Sequence, residues 1–153
     1  MTSHRDRTDN RRARILAVAR KHFGRYGFRR TVLDDIAAEA GCGKGSLYLE
    51  FAGKQALYDA VLDEVHAEVG QRFAAAVEGI TSAAQWLRVS TRFTFTTLEA
   101  EPLLARLITD DPELPALREY AARDKVRAEA EAALMHFRGL LRRGVEAGEL
   151  RAD

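Results

Sequence analysis

Residues 36–51 read IAAEAGCGKGSLYLEF, from Ile36 to Phe51, and their spacing decides the fold. Ile36, Ala37 and Ala40 share one face of a short helix, and Gly41-Cys42-Gly43 interrupts it. Lys44 to Phe51 then supplies about two further turns, with Leu47 and Phe51 four residues apart on a single face. Two short helices joined by a tight glycine-containing turn form a helix-turn-helix unit. A helix that enters the major groove needs small residues at its leading end so that backbone and bases come close, and Gly43, Gly45 and Ser46 meet that need. Lys44 and Lys54 bracket the helix and can neutralise phosphates on either side of the groove, and the Tyr48 hydroxyl can donate to another.

Working outward, Ile15, Leu16, Ala19 and Phe23 recur at helical spacing, with Thr8 or Asp9 as an expected cap and Gly27 as the stop. Thr31-Val-Leu-Asp34 has the form of a capping box for the helix that carries Ile36. Downstream, Gly53 breaks the pattern. From Lys54 onward Leu57, Val61, Val65, Val69, Phe73 and Val77 step by four, which predicts one long amphipathic helix. Ser82 caps a predicted helix through Trp86, Leu87, Phe93 and Leu98, and Pro102 opens a short one through Leu107. Asp111-Pro112 punctuates the chain. A last helical stretch from Leu114 carries Leu117, Ala121, Leu134, Phe137, Leu141 and Val145 and stops at Gly148. No strand alternation and no repeat stands out, so the class is all-α.

Hydrophobic residues make up 46% of the 153 and charged residues 31%, with 3 Pro and 11 Gly, the balance of a folding globular chain rather than a disordered one. No window approaches the roughly 18 consecutive apolar residues of a membrane span, so no membrane partner and a cytoplasmic location are expected. The net charge of +1 hides an asymmetry. Residues 1–55 hold 12 Lys or Arg against 6 Asp or Glu, whereas residues 56–153 hold 12 against 17. One end suits a polyanion and the other does not; a solvated basic face without a partner is the bland alternative.

Beyond the quoted stretch, Lys54 and Leu57 extend a pattern that resembles the TetR family of bacterial regulators, I-A-x-x-A-G-V-S-K-G-T-L-Y-x-x-F-x-x-K-x-x-L. The likeness reaches upstream through Phe23, Gly27 and Thr31 and covers about 50 residues. The resemblance implies a repressor that binds a palindromic double-stranded DNA operator as a homodimer and is released by a small-molecule effector. In such a protein the third helix reads the major groove and the fourth relays motion from a helical body. Carried over position by position, it makes Lys44, Ser46, Leu47, Tyr48 and Lys54 DNA-facing, lets Gly43 and Gly45 approach closely, and puts Thr31 near the DNA backbone. It divides the chain into a three-helix head, residues 1–55, and an effector-binding and dimerisation body, residues 56–153. The body is expected to be shortened: Asp153 falls before the two final helices that usually pair in the family, as in a short variant or a truncated form. The competing expectation is a regulator-like interaction protein with weak DNA binding.

Some positions depart from the pattern. Cys42 replaces the usual Val, Gly43 and Gly53 replace polar caps, Val32 replaces a hydroxyl residue, and Glu50 stands where an aromatic residue or His often touches phosphate. A carboxylate there is expected to repel the backbone. In the body, Trp86, Phe93, Thr97, Leu103, Leu107 and Tyr120 either line an effector pocket or fill an ordinary core, and the resemblance favours the pocket. The single cysteine, Cys42, excludes an internal disulfide and reads as a small apolar residue between helices. The four histidines show no metal-ligand spacing, and Asp34-Asp35 and Asp110-Asp111 are explained by helix starts and turns. No nucleophile, base and orienting group recur together, so neither enzymatic activity, a metal nor a cofactor is expected.

Overall fold

The structure is a computed structural model that describes the backbone of residues 4–109, 119–120 and 122–150, and the side chains of residues 10–107, 119–120 and 122–150. Regular structure among the described residues is helical, without strands: α1 (His4–Arg30), α2 (Leu33–Glu39), α3 (Lys44–Glu50), α4 (Lys54–Val77), α5 (Ala83–Ala100), α6 (Pro102–Thr109) and α7 (Asp124–Glu146). Because α1 begins at His4, Thr8 and Asp9 lie inside it instead of capping it. Gly27, at φ 76° and ψ 169°, breaks the helix as expected, but one further turn follows to Arg30.

The expected capping box does not form. The N-cap of α2 is Val32, which offers no side-chain hydrogen bond. Thr31 turns the other way: its Oγ1 donates to the Gly27 carbonyl at 2.7 Å, tying off α1 rather than starting α2. The α2 to α3 turn is a Schellman motif, with Cys42 N–H on the Ala37 carbonyl at 2.9 Å and Gly41 N–H on that of Ala38 at 3.1 Å. Gly41 takes the left-handed position at φ 65°, which a side chain makes costly. Cys42 is the residue after it and is half-buried, as its place in the motif requires.

The last predicted helix is shorter than its apolar pattern. Glu119 and Tyr120 are helical, but Arg123 is extended at φ −62° and ψ 134°, and α7 starts only at Asp124. Asp110-Asp111, Pro112, Leu114, Leu117 and Ala121 lie outside the described residues.

The chain divides into two compact units, residues 1–68 with 101–109, and residues 69–100 with 110–153. The first extends beyond the expected head of residues 1–55, for a physical reason. On α6, Leu103 and Leu107 are buried, and the helix packs against α1 where Gly24 allows it; a Cβ at Gly24 would stand 3.2 Å from the Leu103 nitrogen. Polar clamps hold the same contact. Arg106 donates to the Gly24 carbonyl at 3.3 Å and to that of Arg25 at 3.1 Å. Arg20 of α1 spans Glu101 at 2.6 Å and Glu68 of α4 at 2.8 Å. Partial burial works against the Arg20 charge, but these hydrogen bonds outweigh it and hold the guanidinium pKa above its ordinary value. The core of this unit contains Ile15, Ala19, Phe23, Ile36, Leu47, Leu57, Tyr58, Val61 and Val65, with Phe23 edge-on to Tyr58 at 4.8 Å. Burial of each such side chain contributes about 1.5–3 kcal/mol.

The second unit is built on rings. Phe73, at the end of α4, lies 5.3 Å from Phe93 and 6.0 Å from Trp86, both on α5, and Trp86 stacks on Phe137 of α7 at 4.8 Å. No described helix is long and apolar enough to cross a membrane.

Candidate nucleic-acid interface

A seven-residue helix turns through two revolutions, so its faces are easily assigned. Leu47 on α3 and Phe51 just after it point into the core of the first unit, and Leu47 is 1% exposed. At 100° per residue, Lys44, Gly45, Tyr48 and Leu49 fall on the opposite arc. All four are exposed, Tyr48 at 47% and Leu49 at 84%. Ser46 lies at the flank, half-buried, and Gly43 is exposed at the N-cap.

Two of the expected contact residues therefore take other roles. Leu47 faces the core, because the four-residue spacing that pairs it with Phe51 anchors α3 to its unit. Thr31 is 2% exposed, with its hydroxyl spent on Gly27. Leu49 joins the exposed arc although the sequence pattern leaves its position variable; the signal that places it there is its four-residue offset from Gly45.

The flanking charges are engaged within the unit. Lys44 Nζ sits 2.9 Å from both carboxylate oxygens of Asp34 on α2. That hydrogen bond raises the Lys44 pKa above the usual lysine range. Lys54 Nζ donates to the Arg29 carbonyl at 3.0 Å and lies 4.9 Å above the Phe28 ring. Both ammonium groups thus hold fixed positions beside α3, Lys44 on the exposed surface and Lys54 half-buried.

Glu50 corrects the expectation of phosphate repulsion. Its Oε1 accepts from Arg11 Nη2 at 2.6 Å and from Arg11 Nε at 3.1 Å, and its side chain is 11% exposed. The carboxylate ties the end of α3 to α1 and its charge is met inside the unit. Arg12, one residue on, lies over the Phe51 ring at 4.5 Å. His22 of α1 meets Glu39 of α2 at 2.8 Å, and this hydrogen bond holds the Glu39 carboxyl below the usual range.

The expected pocket residues fall in different surroundings. Leu103 and Leu107 are core residues of the first unit, packed as part of α6. Trp86, Phe93, Thr97 and Tyr120 belong to the second unit, where Thr97 and Tyr120 are buried. Of the six, Trp86 lines the cavity found in that unit, about 360 Å³, together with Phe73, Ala74, Val77, Glu78, Gly79, Ile80, Ala133 and His136. The described residues contain no cluster of His, Cys, Asp and Glu able to hold a metal ion.

Comparison with known proteins bears on these assignments. Residues 15–61 match the family described as bacterial regulatory proteins, tetR family. An uncharacterised HTH-type transcriptional regulator of Bacillus subtilis, YhgD, is 33% identical over 69 residues, 45% of this chain and 36% of that protein. The HTH-type transcriptional regulator TtgR of Pseudomonas putida is 42% identical over 55 residues, 36% of this chain and 26% of that one. The alignments thus span well under half the length of these relatives. The structure of a fatty acid degradation regulator, FadR from Bacillus halodurans, superposes with a TM-score of 0.64 at 20% identity, covering 92% of this chain and 72% of that one. At that identity the likeness is one of fold.

Proposed function

From the premise that the chain belongs to the tetR family of bacterial regulatory proteins through its N-terminal domain, we propose that it binds an operator in duplex DNA as a homodimer, represses transcription in the cytoplasm, and is released by a small molecule. The observation that carries this reading is the exposed arc of α3. A helix anchored by Leu47 and Phe51 presents Gly45, Tyr48 and a largely bare Leu49 outward, beside Lys44. An apolar side chain so exposed costs solubility and has a use in the major groove, where thymine presents a methyl group. Gly45 adds no side chain between that arc and the bases, Tyr48 can donate to a phosphate, and Lys44 supplies charge.

The homodimer is supported by the second unit. Leu134, Leu141 and Val145 on α7 remain exposed at three- and four-residue steps, a seam with no covering among the described residues. Two heads held on half-sites about one helical turn apart fit a palindromic operator.

Selection of bound duplexes from a random pool tests the reading. The expected product is a palindrome with thymine in each half-site. Replacing that thymine by deoxyuridine, which removes only the methyl, weakens wild type about 5-fold or more and leaves Leu49→Ala unaffected. Recovery of no preferred sequence, together with affinity that is flat from low to moderate salt, refutes the proposal.

A further inference from the structure

The cavity of the second unit has walls of one chemical kind. Phe73 and Val77 at the end of α4, Ile80 in the following loop, Trp86 on α5 and Ala133 on α7 are apolar. Neither Lys nor Arg is among its lining residues, and Glu78 is the one formal charge there. At about 360 Å³ it lies near the small end of the roughly 300–1,000 Å³ that ligand pockets occupy. Its inner ring is held rigidly, with Trp86 stacked on Phe137 and edge-on to Phe73. The indole Nε1, which can only donate, is buried and meets no acceptor among the described residues. A buried donor left unmade is costly, and a native site that keeps one calls for an acceptor from elsewhere.

We propose that this cavity binds a compact neutral molecule, mainly apolar and bearing one hydrogen-bond acceptor such as a ketone oxygen, and that it rejects carboxylates of the same shape. The role of that molecule as the releasing effector rests on the function proposed above. Its apolar body fills the space between Phe73, Ile80 and Ala133, and its oxygen takes the Trp86 N–H. A carboxylate would surrender its hydration beside the Glu78 carboxylate, with no cation among the lining residues to offset the loss.

The chain contains a single tryptophan, so one indole cross-peak in a ¹⁵N–¹H spectrum reports on the cavity directly. The whole chain is titrated with 4-fluoroacetophenone, 4-fluorobenzoate and 1-ethyl-4-fluorobenzene, which share one outline and differ in charge and acceptor. The ketone moves the indole proton downfield and binds at least about tenfold more tightly than either of the others. Glu78→Gln narrows the gap between ketone and carboxylate and leaves ketone affinity unchanged. Ala133→Phe and Val77→Phe, each checked for native helicity by circular dichroism, fill the space and abolish the shift. Equal or tighter binding of the carboxylate, no indole shift with millimolar ketone, or undiminished ketone binding in both cavity-filling variants overturns the assignment. Duplex affinity measured with and without ketone is a separate readout. Ketone binding that leaves DNA affinity unchanged refutes the effector role while the pocket assignment stands.

Discussion

Glu50 separates what its position in the sequence suggests from what its surroundings do with it. A carboxylate next to the recognition helix, if turned to the DNA, would weaken binding, and Glu50→Gln would tighten it. In the structure the same carboxylate accepts two hydrogen bonds from Arg11, at 2.6 and 3.1 Å, with side-chain exposures of 11% for Glu50 and 31% for Arg11. Fully exposed pairs contribute about 0–1 kcal/mol, and breaking a fully buried one costs about 3–5 kcal/mol. This pair lies between. Gln keeps the acceptor and loses the charge, which roughly halves the strength of such a bond, so Glu50→Gln is expected to destabilise the chain by about 1 kcal/mol. With a urea dependence of about 2 kcal/mol/M, the midpoint followed by circular dichroism falls by about 0.5 M. Duplex affinity stays level or drops, because α3 loses an anchor to α1. A double-mutant cycle with Arg11→Gln should return a coupling near 1 kcal/mol. Unchanged stability combined with tighter DNA binding would refute the reasoning and return Glu50 to the phosphate backbone.

Other residues give further tests. Gly41→Ala forces a side chain into the left-handed position at φ 65° and is expected to cost about 1–2 kcal/mol in urea denaturation. Asp34→Asn removes the carboxylate that holds Lys44; non-specific duplex affinity should rise severalfold at low salt, and the lysine pKa should fall back toward its ordinary value by NMR titration. The Glu39 carboxyl titrates below its unfolded value because His22 hydrogen-bonds it, so this contact stabilises the fold above the usual carboxylate pKa and is lost as pH falls through the lowered one. His22→Gln should therefore raise the Glu39 pKa and flatten stability over that acidic window. Leu141→Glu should leave helicity intact and shift sedimentation from dimer to monomer.

The helical class, the places of α2 to α6 and the identity of the recognition helix were legible in the sequence. Each depends on local information: apolar residues at three- and four-residue spacing, a glycine at a left-handed turn, a proline in a first turn. The outward arc of α3 was legible as well, since burying Leu47 and Phe51 leaves Lys44, Gly45, Tyr48 and Leu49 no other side to occupy. Tertiary structure decided the rest, because partners distant in the chain compete for the same polar groups and surfaces. Thr31 has the letters of a cap, yet its hydroxyl finds the Gly27 carbonyl at 2.7 Å, and a donor makes the bond its neighbours offer. Glu50 is claimed by Arg11, 39 residues away. The helix α6 joins the first unit across some 80 residues of chain because Gly24 lets it come close and Arg20 and Arg106 clamp it there. Hydrophobic periodicity shows which face of a helix will be buried; only the assembled packing shows against what.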